Sequence, residues 1–115
     1  MKIDDVYKMK GVLAVGEFDQ NGRLIMFKSD QLNPVQADST ARLSGSLFSL
    51  LSSIFSIYSM YCGIPIEQVN EMIFRGREVS LVLVSGSHRD AGAFFRSDTI
   101  DSEVLIQTLK EYCSE

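Results

Sequence analysis

From Leu43 to Ile66 the chain runs through 24 consecutive residues without a charge. As a helix such a stretch is long enough to cross about 30 Å of hydrocarbon. Its internal pattern argues for a packed helix instead. Serine stands at positions 44, 46, 49, 52, 53, 56 and 59, and the stretch runs into Gly63-Ile64-Pro65. At about 100° per residue, with Gly45 as origin, Ser49, Ser52, Ser56, Ser59 and Gly63 fall within about 40° of one line. Leu43, Leu47, Leu50, Leu51, Ile54, Tyr58 and Tyr61 lie on the other side, which predicts a helix that buries a broad apolar face in a protein core rather than a membrane span.

The rest of the chain is of ordinary globular character. Its 115 residues carry 15 acidic and 11 basic side chains, a formal net charge of -4. The basic residues are scattered and the pI is about 4.9, so no nucleic-acid partner is expected. Two cysteines and one histidine cannot furnish a four-ligand zinc site, and neither a metal nor a cofactor is expected. Met1-Lys2-Ile3-Asp4-Asp5 places acids where a secretory signal carries its apolar run, which predicts a cytoplasmic chain with Cys62 and Cys113 as free thiols.

The chain predicts eight elements in one domain, residues 1–115. Ile3, Val6 and Met9 at helical spacing give a short helix stopped by Gly11. Val12 to Asp19 and Leu24 to Lys28 read as a hairpin around Gln20-Asn21-Gly22-Arg23. Asn33-Pro34-Val35-Gln36 combines a cap, a first-turn proline and a capping-box partner, starting the long helix that ends near Cys62. Val69 to Arg75, Glu78 to Val84 and His88 to Phe95 form a meander, whose nearly unbroken apolar run Val79–Val84 predicts a central strand covered on both faces. Asp98 to Asp101 caps a last helix bearing Val104, Leu105, Thr108, Leu109 and Tyr112. The order is α-ββ-α-βββ-α, an α+β fold.

Chemistry-bearing patterns are sparse. No glycine-rich loop precedes a Lys-Ser/Thr pair, so nucleotide hydrolysis is not expected. His88, next to Arg89 and Asp90, reads as a solvated turn residue. Asp4, Asp5, Glu67, Glu71 and Glu78 read as solvated acids, and the arginines flanking Gly76 as a hairpin tip kept soluble. The remaining feature is the small-residue face of the long helix: Gly45, Ser49, Ser52, Ser56 and Ser59 lack the charges that keep an exposed helix soluble. This predicts a close contact with another helix.

The element order, with Gly-Val-Leu-Ala-Val-Gly-Glu-Phe-Asp-Gln-Asn-Gly-Arg-Leu-Ile at Gly11 to Ile25 as its hairpin, resembles the roadblock/dynein-light-chain family, in particular its short prokaryotic members. The resemblance implies a five-stranded antiparallel sheet with the long helix on one face and the terminal helices on the other. It further implies homodimers that serve as scaffolds or regulators of small GTPases. The Ser-rich middle of the long helix departs from the Ala/Leu-rich pattern of that family.

Three functions fit these observations: a non-enzymatic homodimeric adaptor or regulator, with a small GTPase as one candidate partner; an accessory subunit of a larger cytoplasmic enzyme complex; and a small-molecule sensor. The last needs a cavity between sheet and helix, for which the sequence displays no convergent polar residues. In the homodimer, the face bearing Leu47, Leu50, Leu51, Ile54 and Tyr58 is expected to cover the monomer's own sheet. Gly45, Ser49, Ser52, Ser56 and Ser59 are then left to meet a symmetry-related helix.

Overall fold

A computed structural model describes residues 1–66, 68–98 and 101–115, leaving Glu67 and the 99–100 part of the last expected cap outside the description. The elements are α1 (Ile3–Tyr7), β1 (Val12–Phe18), β2 (Leu24–Ser29), α2 (Pro34–Cys62), β3 (Glu71–Arg75), β4 (Val79–Ser85), β5 (Asp90–Arg96) and α3 (Ser102–Ser114). This is the expected order, with local differences that have physical causes. β3 starts two residues later than expected, at Glu71, with Val69 buried in the core ahead of it. β5 starts at Asp90 because the backbone N–H groups of His88 and Arg89 donate to the Cys113 carbonyl, at 3.1 and 3.2 Å.

The strands form one antiparallel sheet in the order β2-β1-β5-β4-β3. β4 is internal and covered on both faces, as its apolar run predicts. The middle position belongs to β5, however, because the chain leaving α2 enters at the far edge as β3 and steps back toward β1. On one face, Ile3 and Val6 of α1 and Leu105, Ile106, Leu109 and Tyr112 of α3 pack over Val15, Val82, Val84 and Phe95. On the other face, α2 closes a smaller cluster around Phe18, Ala41, Val69, Met72 and Leu83.

The capping box at the start of α2 forms as expected: Gln36 N–H donates to Asn33 Oδ1 at 2.8 Å and Asn33 N–H to Gln36 Oε1 at 2.9 Å. The hairpin closes differently from a two-residue Asn-Gly turn. Within the turn only Gly22 takes a positive φ, 77°. Its N–H reaches the Asp19 carbonyl at 2.9 Å, and the Asp19 carboxylate accepts from the N–H groups of Asn21 and Arg23, both at 2.9 Å. An Asp at the first position thus does by side-chain hydrogen bonding what the Asn-Gly dihedrals would otherwise do.

The hairpin tip rests directly on α2. A Cβ on Gly45 would stand 2.7 Å from Gly22 Cα, and one on Gly22 would stand 2.9 Å from Arg42 Cα. Backbone meets backbone here, and only a pair of glycines allows it. Gly45→Ala is expected to lower stability by about 2 kcal/mol through overpacking against a contact that has no flexible side chain to yield. Urea denaturation of variant and parent checks this; a difference below about 0.5 kcal/mol would show that the hairpin moves aside freely.

Candidate interaction surface

With 29 residues at 1.5 Å each, α2 is about 43 Å long, matching the 44 Å long axis of the molecule. Five strands at about 4.8 Å spacing offer only about 19 Å between the outermost two. The helix therefore outruns its sheet. By length and composition α2 is apolar enough to cross a bilayer, yet little of it is buried here.

Its contact with the sheet falls on a different line from the one the sequence predicts. Ala37, Ala41, Ser44 and Gly45 are buried, and Leu47, Phe48, Leu51 and Phe55 pack partly against the core. Leu50 and Tyr58, expected to cover the sheet with Leu47, Leu51 and Ile54, are 57% and 59% exposed, and Ile54 is only half-buried. The reason is steric: the glycine contact with the hairpin and the alanines beside it set the helix rotation, and large side chains cannot occupy that close approach. The outer line Leu43, Leu50, Ile57 and Tyr61 is left in solvent, with Tyr61 at 88%.

The five small residues divide accordingly. Gly45 is buried beneath the chain's own hairpin. Ser49 and Ser56 are exposed, and Ser52 and Ser59 are half-buried at the margin of the sheet contact. Hydroxyls along this side bond the helix itself: Ser53 donates to the Ser49 carbonyl and Ser56 to the Ser52 carbonyl, each at 3.1 Å, and Ser59 reaches the Ile64 carbonyl at 2.7 Å. The face is thereby smooth and sparing in free donors. A polar cleft of about 330 Å³ runs beside it, bringing together Gln20, Ser49, Ser52, Gln68, Ser85 and Asp90 from four separate segments. Only folding unites those residues, so no spacing in the sequence marks the cleft.

On the opposite side of the sheet, Tyr112 Oη donates a short hydrogen bond to the buried Glu17 carboxylate, and the Arg89 guanidinium lies 4.6 Å from the centre of the Tyr112 ring. Burial, and then the bond to Glu17 with its charge, pushes the Tyr112 phenol up to about 12. Burial, and then the charges of Asp90 and Glu17, pushes the Cys113 thiol up to about 12. Both shifts oppose the deprotonation that an activated nucleophile needs, so this cluster fastens α3 to the sheet. His88 is exposed. Glu71 pairs with Lys110 at 3.3 Å and Arg75 donates to Ser102 Oγ at 2.6 Å, so these two charges brace the surface. Among the described residues no group of three His, Cys, Asp or Glu is placed to hold a metal ion.

A five-stranded antiparallel sheet carrying one long helix on one face and the two terminal helices on the other defines a roadblock-type α+β domain. The likeness to solved structures is strong in shape and low in sequence. The Roadblock/LC7 domain from Streptomyces avermitilis superposes with a TM-score of 0.71 at 17% identity, over 93% of this chain and 89% of that one. Myxococcus xanthus MglB gives 0.73 at 18% identity, over 93% and 84%. An MglB in a tetrameric arrangement gives 0.77 at 14% identity, over 97% and 82%. The chain belongs to the family described as "Uncharacterized conserved protein (DUF2173)", which matches residues 2–111. No curated protein matches it significantly.

The thiols provide a check on this geometry. Cys62 is exposed and Cys113 buried, so a thiol reagent at pH 8 is expected to modify one cysteine in the native protein and the second only after denaturation. The buried Tyr112 phenol should resist ionisation in the native protein. Its folded value of about 12 stands above the roughly 10 of a free phenol, so the stability it contributes is complete below about pH 10 and is lost as pH rises toward 12. Simultaneous modification of both thiols in the native state would contradict this packing.

Proposed function

We propose that residues 1–115 form a single cytoplasmic, non-enzymatic roadblock-like domain that works as a homodimeric adaptor or regulator, with a small GTPase as partner. The observation that carries the reading is the apolar outer surface of α2. Leu43, Leu50, Ile57, Tyr58, Met60 and Tyr61 are each more than half exposed. At about 150–250 Å² for a large side chain, they leave on the order of 700 Å² of apolar area in water. That approaches the roughly 800 Å² per partner of a standard protein interface. The surface is one continuous helix face, which suits a two-fold contact with a second copy.

In this reading the interface runs along the outer line Leu43, Leu50, Ile54, Ile57 and Tyr61. Ser49, Ser52, Ser56 and Ser59 form its smooth flank, and Gly45 contributes indirectly by fixing the helix on the hairpin. A bilayer is a weaker occupant, because the N-terminal half of α2 is already bound to the sheet through Ala37, Ala41 and Gly45. The GTPase reading rests on resemblance to the roadblock family and on the shape shared with MglB. The accessory-subunit reading places a different protein on the same face.

Two measurements test the proposal. Leu50→Arg buries an unpaired charge at the centre of the contact, at about 3 kcal/mol, and is expected to weaken self-association a hundredfold or more without unfolding the chain. Ser52→Arg, at the margin, should weaken it less. Light scattering after size exclusion reads both; a monomeric parent, or a Leu50→Arg variant that stays fully dimeric, contradicts the interface. The purified chain should hydrolyse no GTP, yet change the hydrolysis rate of a cognate small GTPase or bind one of its nucleotide states preferentially. Absence of either effect across the small GTPases of the host would leave the accessory-subunit reading.

A further inference from the structure

The α2 side of the sheet is bare at one corner. Met72 packs under α2, so strand alternation turns Phe74 to the same side. With Val79, Leu81 and Phe94 it lines an open apolar groove of about 280 Å³ where β3 turns into β4. Phe74 and Val79 are 42% and 43% exposed. This groove is separate from the cavity of about 40 Å³ that lies beneath Ala37 and Ala41 of α2. The helix starts beside β2, where Ala37 stands over Leu24 and Phe27, and meets the hairpin tip at Gly45. It then packs through Phe48, Leu51 and Phe55 near Val69 and Met72, at the Glu71 end of the edge strand β3. The groove is at the other end of β3, beside Arg75.

The side of α2 that looks down on the sheet continues after the sheet has ended. At about 100° per residue, Leu47, Leu51, Phe55, Tyr58 and Cys62 fall within about 40° of one line. The first three pack against the core. Tyr58, whose ring centroid lies 6.5 Å from that of Phe55, is 59% exposed, and Cys62 is exposed as well. This line stands about a quarter turn around the helix from the outer line Leu43, Leu50, Ile57 and Tyr61.

One chain thus carries a sheet-facing strip with no sheet under it and an apolar sheet corner with no helix over it. A two-fold axis perpendicular to the sheet beside β3 brings the two together. The rotation reverses the strand, so a helix end that leaves one copy past the Glu71 end of β3 arrives over the Arg75 end in the other, and symmetry repeats the contact. The areas agree with this arrangement. The exposed large side chains of α2 come to on the order of 700 Å², short of the roughly 800 Å² per partner of a standard interface. Phe74 and Val79 add on the order of 100 Å² from the groove.

The geometry points to a reciprocal seat, in which Tyr58 of each chain fills the groove of Phe74, Val79, Leu81 and Phe94 on a second copy. The seat rests on the homodimer proposed above and adds to it a contact apart from the outer line of α2. For the test, Cys62→Ser chains carrying Tyr58→Cys are mixed with Cys62→Ser chains carrying Phe74→Cys and treated with a short bis-maleimide. Each chain holds one of the two thiols, so a link between positions 58 and 74 forms only between chains, and Cys113 is buried away from the reagent. The expected product is a covalent dimer joined at 58 and 74, at least tenfold more abundant than when Ile25→Cys, on the far edge strand, replaces Phe74→Cys. In the otherwise natural chain, Phe74→Arg should weaken self-association at least tenfold by analytical ultracentrifugation while keeping the circular dichroism of the parent, which shows that the variant folds. A monomeric parent would overturn the dimer and the seat together. A dimeric parent would overturn the seat alone if the 58–74 link does not exceed the position-25 control, or if Phe74→Arg associates as tightly as the parent; the interface would then be confined to the outer line.

Discussion

The structure depends on one mismatch of length. A helix of about 43 Å lies on a sheet whose outer strands are about 19 Å apart, so no rotation of α2 can hide all of its apolar residues within one chain. The N-terminal half is fixed by contact with the hairpin and the sheet. The remainder projects past the edge with Ile57, Tyr58, Met60 and Tyr61 in solvent. A monomer seldom leaves so large an apolar surface uncovered, and this is the surface that the proposed self-association would cover.

The glycine contact between Gly22 and Gly45 decides which residues project. Had α2 rotated to put Leu43, Leu50 and Tyr61 on the sheet, the hairpin tip would have met side chains where it now meets backbone. The small residues of α2 thus serve the monomer first: Ala37, Ala41 and Gly45 allow close approach, and the serines beside them border it. The same smallness keeps the cavity under α2 open, because Ala37 and Ala41 face Gly16 and Gly92 without filling the space between them.

Much of the fold was legible in local chemistry. The Asn33–Gln36 capping box, the Gly63 stop and the apolar run of β4 each act over a few residues and appear in the structure where the sequence places them. What escaped depends on contacts between distant residues. Periodicity shows that α2 has an apolar face and a small face, but both are compatible with burial, and the choice is made by Gly22, 23 positions before Gly45. The bond between Tyr112 and Glu17 spans 95 positions, and the polar cleft draws on four segments. Of the five small residues that the spacing singles out, Gly45 lies beneath the chain's own hairpin, while Ser49 and Ser56 are exposed.

In this roadblock-type fold two buried groups under α3, Tyr112 and Cys113, are held protonated. The account turns on whether the outer face of α2 is covered by a second copy in solution. Hydroxyl-radical footprinting at increasing protein concentration tests it most directly, because Tyr61 is 88% exposed in the single chain and Met26, on the far edge strand, is 44% exposed. The expected result is that oxidation of Tyr61 falls several-fold as the concentration rises while that of Met26 stays constant. Tyr61 remaining fully reactive at every concentration would contradict the account.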